Sequence, residues 1–142
     1  MMFNLKLENR LEYWLEFRRR LEKSKTPYID VWEFWKSAPF IPHNQKIDRY
    51  NQNSWPTAWE IIADNKYDDF TKSLMMAYTL KLTKKFANSN FIIQTLVDNL
   101  NHREYNILIV DQAWVLNLDD NGPILFDKLP DSFILENHIE LR

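Results

Sequence analysis

Along the first ninety residues apolar positions recur every three or four places, as on one face of a helix; beyond that they alternate or run together, as in strands. The segment that organises this pattern is Asp68 to Phe86, DDFTKSLMMAYTLKLTKKF. Phe70, Leu74, Ala77, Tyr78 and Lys81 follow one helical face, and Leu80, Leu82 and Phe86 widen the apolar side, so the spacing predicts a broadly buried helix. Asp68 is its expected cap, because a short carboxylate accepts the free amides of a first helical turn. Upstream, Leu7, Leu11, Trp14, Leu15 and Leu21 make the stripe of an amphipathic helix over Leu7 to Lys23. Thr26 before Pro27 starts a second, aromatic-rich helix containing Val31, Trp32, Phe34 and Trp35, which Pro39 and Pro42 stop. Thr57 and Glu60 have capping-box spacing, predicting a short helix through Ile61 and Ile62 that ends near Asp64 and Asn65.

After Asn88-Ser89-Asn90 the period changes. Phe91 to Val97 alternates as a strand, and Tyr105 to Val110 is almost continuously apolar, which suits a central strand covered on both faces. Asp111-Gln112 predicts a tight hairpin into Ala113 to Leu118, and Asp119-Asp120-Asn121-Gly122 a second turn into an edge strand over Pro123 to Phe126. The tail LPDSFILENHIEL is open between a short strand and a docking arm. Helices first, then a meander of strands, define an α+β domain: N-terminal helices and a central buried helix packed on a small, mainly antiparallel C-terminal sheet. No repeat or linker divides residues 1–142. Residues 1–37 read as a helical arm, and residues 38–56 as a long irregular segment.

Composition narrows the chemistry. Six tryptophans, six tyrosines and nine phenylalanines supply a large apolar payload, so no metal or disulfide staple is needed for folding. The absence of cysteine removes disulfides, thiolate nucleophiles and cysteine metal sites together. A single glycine, Gly122, rules out a glycine-rich phosphate loop or dinucleotide fingerprint, and no cofactor is expected. No apolar run is long enough to cross a bilayer and no signal-peptide core opens the chain, so a soluble, unprocessed protein without membrane contact is expected. The net charge of −2 is split: residues 1–50 carry +3 and residues 51–142 carry −5.

Three constellations can be assembled from the polar residues. Asp68 and Asp69 at a helix start, His102 beside the second strand, and Asp111, Asp119 or Asp120 in later turns follow the order helix, strand, strand. That order resembles a transglutaminase-like or papain-like core over residues 68–119, with the nucleophile at the helix N-terminus. The cysteine such a core needs is missing and an aspartate cannot make the thiolate attack, so the resemblance implies an inactive relative. For a metal, His102 with Glu104 and Asp119 with Asp120 offer ligands. Their spacing is that of turn residues, and His43 and His138 are scattered, so no metal site is assigned. Arg18, Arg19 and Arg20, with Lys81, Lys84 and Lys85, are the candidates for phosphate contact; the acidic second half speaks against a broad nucleic-acid groove.

Protein contact fits more of the chain. Phe40, Tyr50 and Trp55 are aromatic anchors in the irregular segment, and Arg18, Arg19 and Arg20 form a basic helix end; these six residues are the candidates for a protein interface. The runs WPTAWEIIADNKYDDFTKSLMMAYTLKL, YNILIVDQAWVLNL and PDSFILENHIEL resemble small uncharacterised proteins of tailed bacteriophages of the marine myovirus type. That resemblance implies a non-catalytic virion or assembly role, in the virion or the host cytoplasm, with phage structural or assembly proteins as partners or a host protein as an alternative.

Overall fold

A computed structural model describes residues Met1–Arg142. Four helices, α1 (Leu7–Leu21), α2 (Pro27–Lys36), α3 (Ala58–Asp64) and α4 (Asp69–Lys81), precede five strands. The strands are β1 (Phe91–Asp98), β2 (Arg103–Val110), β3 (Trp114–Leu116), β4 (Ile124–Leu125) and β5 (Ile134–Glu140). They form one antiparallel sheet in the order β4-β3-β2-β1-β5, so the fold is α+β with its helices against the sheet. The tail is therefore a strand. It leaves the meander and pairs with the far side of β1, with a register shift between Thr95 and Leu96.

The caps form as the side chains dictate. Thr57 and Glu60 make a reciprocal capping box at α3, which ends at Asn65 in the left-handed region, φ 57°. The Asp68 carboxylate accepts from the Thr71 amide at 2.7 Å and hydroxyl at 2.5 Å. Helix α4 stops at Lys81, short of the predicted Phe86, and residues 82–87 form turns. The Thr83 hydroxyl, which donates to the Leu80 carbonyl and accepts from the Phe86 amide, offers the backbone a local alternative to the helix. Phe86 still reaches the core, whereas Leu82 is exposed.

Both faces of β2 are covered, as its apolar run requires. Phe91 and Ile93 of β1, Leu108 and Val110 of β2 and Leu116 of β3 join the helices in the main core. Ile92, Leu96, Ile107, Ile109 and Val115 form a smaller core on the other face, roofed by Phe126, Leu129 and Phe133. The helices of residues 1–37 are part of this body: Trp14, Trp35 and Val31 are fully buried. Trp14 and Trp35 each donate an indole N–H to the Thr79 hydroxyl, both at 3.0 Å, and that hydroxyl donates to the Met75 carbonyl at 2.6 Å. One threonine oxygen thus ties α1 and α2 to α4.

The β2–β3 connection, residues 111–113, turns through Asp111 and Gln112, φ 53° and 54°, and the Ala113 N–H closes it on the Val110 carbonyl at 3.0 Å. Gly122, φ 132°, lies against Trp32, with 3.9 Å between the ring and the position a Cβ would take.

Candidate binding cleft

The first residue of α4, Asp69, stands where the helix start meets β2 and the end of β3. Alternation along β2 places Asn106, Leu108 and Val110 in one row facing the helices, and Asn106 is the polar member of that row. Its backbone N–H donates to Asp69 Oδ2 at 2.9 Å and its side-chain amide to the same oxygen at 3.3 Å. Asn117, just past β3 with φ 68°, brings its amide within 3.2 Å of Asp69 Oδ1, 2.9 Å of Ser73 Oγ and 3.0 Å of the Asn106 carbonyl. Ser73, one helical turn on from Asp69, donates to that same carbonyl at 2.5 Å. Behind them, Asn106 Oδ1 accepts from Thr95 at 2.8 Å and Arg49 at 3.2 Å, and Arg49 pairs with Glu104 at 3.1 Å. A connected polar network so runs from the helix start through the sheet to the irregular segment.

Burial pushes the Asp69 carboxyl above its ordinary value of 3.8, while the Asn106 and Asn117 hydrogen bonds pull it back part of the way. Asp69 and Asn117 face a cleft of about 180 Å³. Trp32, Phe40 and Tyr105 contribute rings to its wall, Lys36, Lys72 and Arg103 cations, and Asp119 and Asp120 carboxylates. Each cation sits over one of the rings: Lys36 4.2 Å from the Trp32 centroid, Lys72 5.5 Å from Phe40, and Arg103 4.6 Å from Tyr105. Burial lowers the Lys72 ammonium from its ordinary value, and the Asp69 charge acts in the opposite direction.

The expected grouping of Asp68 or Asp69 with His102 does not assemble. Asp68 is spent on its cap and on the Asn44 amide, which it accepts at 2.9 Å. His102 is exposed on the β1–β2 turn, φ 51°, and is not part of the cleft wall. Asp111 accepts the Asn90 amide and Asp119 the Asn121 amide, both at 2.8 Å, as turn residues do. Glu104 is taken by Arg49, and His43 and His138 are exposed; no three His, Asp or Glu side chains group to hold a metal ion. What converges on Asp69 is a pair of asparagines. The signal for them was a lone asparagine inside each of the apolar runs YNILIV and WVLNL. Chemically, the cleft presents a carboxyl, amides and cations, with no base poised on a nucleophile. The two hydroxyls in the network are buried and both donate to Asn106, Ser73 to its carbonyl and Thr95 to its side-chain oxygen.

The interface candidates fall into two places. Phe40 is 63% exposed at the cleft wall, and Tyr50 is 69% exposed. Trp55 turns inward, edge-on to Phe70 at 5.5 Å, with its indole donating to the Asp48 carbonyl at 2.5 Å. The 38–56 segment carrying these rings is stitched to its own chain: Ile47 is buried, Gln52 donates to the Glu140 carbonyl at 3.2 Å, and Asn137 to the Arg49 carbonyl at 3.4 Å. Arg18 lies over Trp14 at 4.2 Å, half-buried, its guanidinium lowered by burial and by Arg19. Arg19 pairs with Glu16 at 2.6 Å, and Arg20 is exposed near Phe17. Glu22 accepts the amides of Lys84 at 2.9 Å and Lys85 at 3.2 Å, bringing those lysines to the same end of the molecule.

No protein-family model and no curated protein sequence matches the chain. No helix is long and apolar enough to cross a membrane.

Proposed function

We propose that the chain is a non-catalytic binding protein that works through contacts with other proteins, in a tailed-phage virion or during its assembly. The observation that carries the binding reading is the pairing of a fixed segment with free rings: residues 38–56 are pinned by Asn44, Ile47, Arg49 and Gln52, yet Phe40 and Tyr50 project into solvent. Rings held outward on an ordered backbone lose little entropy on contact, which is what interface anchors require. The phage setting rests on the sequence resemblance alone.

The test is purification from phage-infected cells and from virions, with the particle size measured for wild type and for a Phe40→Ala, Tyr50→Ala double variant. Co-migration with an assembly, lost in the double variant whose fold is intact, is the expected result. A monomer throughout infection, absent from virions, overturns it. A second reading, the degenerate transglutaminase-like or papain-like core, draws support from the meeting of Asp69 with residues of β2 and the β3 end. It too leads to binding in place of turnover, since the chain has no cysteine and no histidine lines the cleft beside Asp69.

A further inference from the structure

We infer that the cleft beside Asp69 is a binding site for a small oxyanion, a carboxylate or phosphate group, captured by Lys36, Lys72 and Arg103. This inference stands apart from the partner reading and survives its failure.

The ion pairs of the chain are Arg19 with Glu16, Lys46 with Asp64 and Arg49 with Glu104, so none of the three cleft cations has a carboxylate within 4.0 Å. Lys72 donates to the Lys36 carbonyl at 3.0 Å, and neither the guanidinium of Arg103 nor the ammonium of Lys36 is in an ion pair. Each is nevertheless positioned over an aromatic face of the wall. Pre-placed donors of this kind bind an oxyanion with little ordering cost, and charge-assisted hydrogen bonds are the stronger class.

The acids of the cleft are less free. Asp69 has both oxygens committed to Asn106 and Asn117, and Asp119 holds the Asn121 amide. Asp120, exposed on the rim, is the carboxylate with no such commitment; its charge, like those of Asp69 and Asp119, opposes an incoming anion, and the three cations are set against them. The volume of about 180 Å³ leaves room for one oxyanion and a short body. Lys72 adds a linkage: its ammonium is depressed by burial, so an anion bound beside it raises its proton affinity.

The test is titration of the full chain with inorganic phosphate and, separately, with acetate, followed by NMR signals of the Asn117 side-chain amide and the Lys72 and Arg103 side chains. Saturable shifts at these groups with either anion support the site, and the tighter of the two identifies the oxyanion class. Arg103→Ala, at an exposed position, weakens binding by about tenfold or more, and Lys36→Ala does so independently. Asp120→Asn tightens it. Shifts confined to the Arg19, Arg20 and Lys84 end, unchanged binding in both cation variants, weaker binding in Asp120→Asn, or no saturable shift with either anion overturns the inference.

Discussion

Helix α4 carries a buried polar node at each end, and the two are built on opposite plans. Near its C-terminus, Thr79 meets two indole N–H groups and a helix carbonyl, so every hydrogen-bonding group is matched and the surroundings are aromatic and closed. Near its N-terminus, Asp69 meets two asparagines, is raised in pKa by burial, and looks into an open cleft. A closed node fixes helices relative to one another. An open one holds a charge close to low-dielectric surroundings while leaving it reachable, an arrangement more useful for recognition than for stability.

The sharpest way to break that contrast is Thr79→Val. It strands two buried donors at once, so the expected loss is about 2–6 kcal/mol, from about 1–3 per orphaned group. Urea unfolding followed by tryptophan fluorescence measures it. Thr79→Ser keeps the acceptor and loses one methyl, for about 1 kcal/mol. If the two variants cost the same, the hydroxyl is not what joins the helices.

Asp69→Asn is the counterpart at the open end. Because the folded carboxyl titrates above the unfolded value of 3.8, the folded chain keeps a proton that the unfolded chain has lost across that interval. The favourable contribution is complete below 3.8 and is lost as pH rises through the folded value, so stability falls with rising pH in that window. The variant removes this slope; at neutral pH the loss of one acceptor oxygen, about 1 kcal/mol, is offset by relief of the buried charge, so the net change there is small. Denaturant midpoints measured across the acidic range decide it; an unchanged slope assigns the titration elsewhere.

Tyr67→Phe gives the smallest effect and the opposite sign. The ring is fully buried against Phe3 and Trp35, burial pushes its hydroxyl well up, and that hydroxyl has no partner. Removing it stabilises the chain by up to about 1 kcal/mol in the same unfolding assay. A loss of stability would show that this oxygen is satisfied after all and belongs with the closed node.

Much of the local architecture was legible because its causes are local. Thr57 with Glu60, Asp68, and the pair Asp111-Gln112 each act within a few residues of themselves, and each makes the cap or turn its chemistry predicts. The apolar run of β2 likewise announced a strand covered on both sides. The end of α4 was misplaced because apolar spacing continues through Leu82 and Phe86, whereas Thr83 diverts the backbone. The cleft was harder to read. Asn106 and Asn117 lie 37 and 48 residues along the chain from Asp69, far beyond what period or capping can report, and they meet it only through sheet register. Alternation alone would have turned Asn106 toward the helices, a clue masked by the near-continuous apolarity around it.

The sheet order has a consequence in time. Strand β1 finds one neighbour immediately after it in the chain and the other only in Ile134–Glu140. While the ribosome is still producing the intervening residues, one full edge of β1 stands bare, with Ile92, Ile93 and Leu96 along it. Non-local pairing of this kind closes late, and an unpaired apolar edge is a template for neighbouring nascent chains. In the finished fold β5 is the strand that covers that edge.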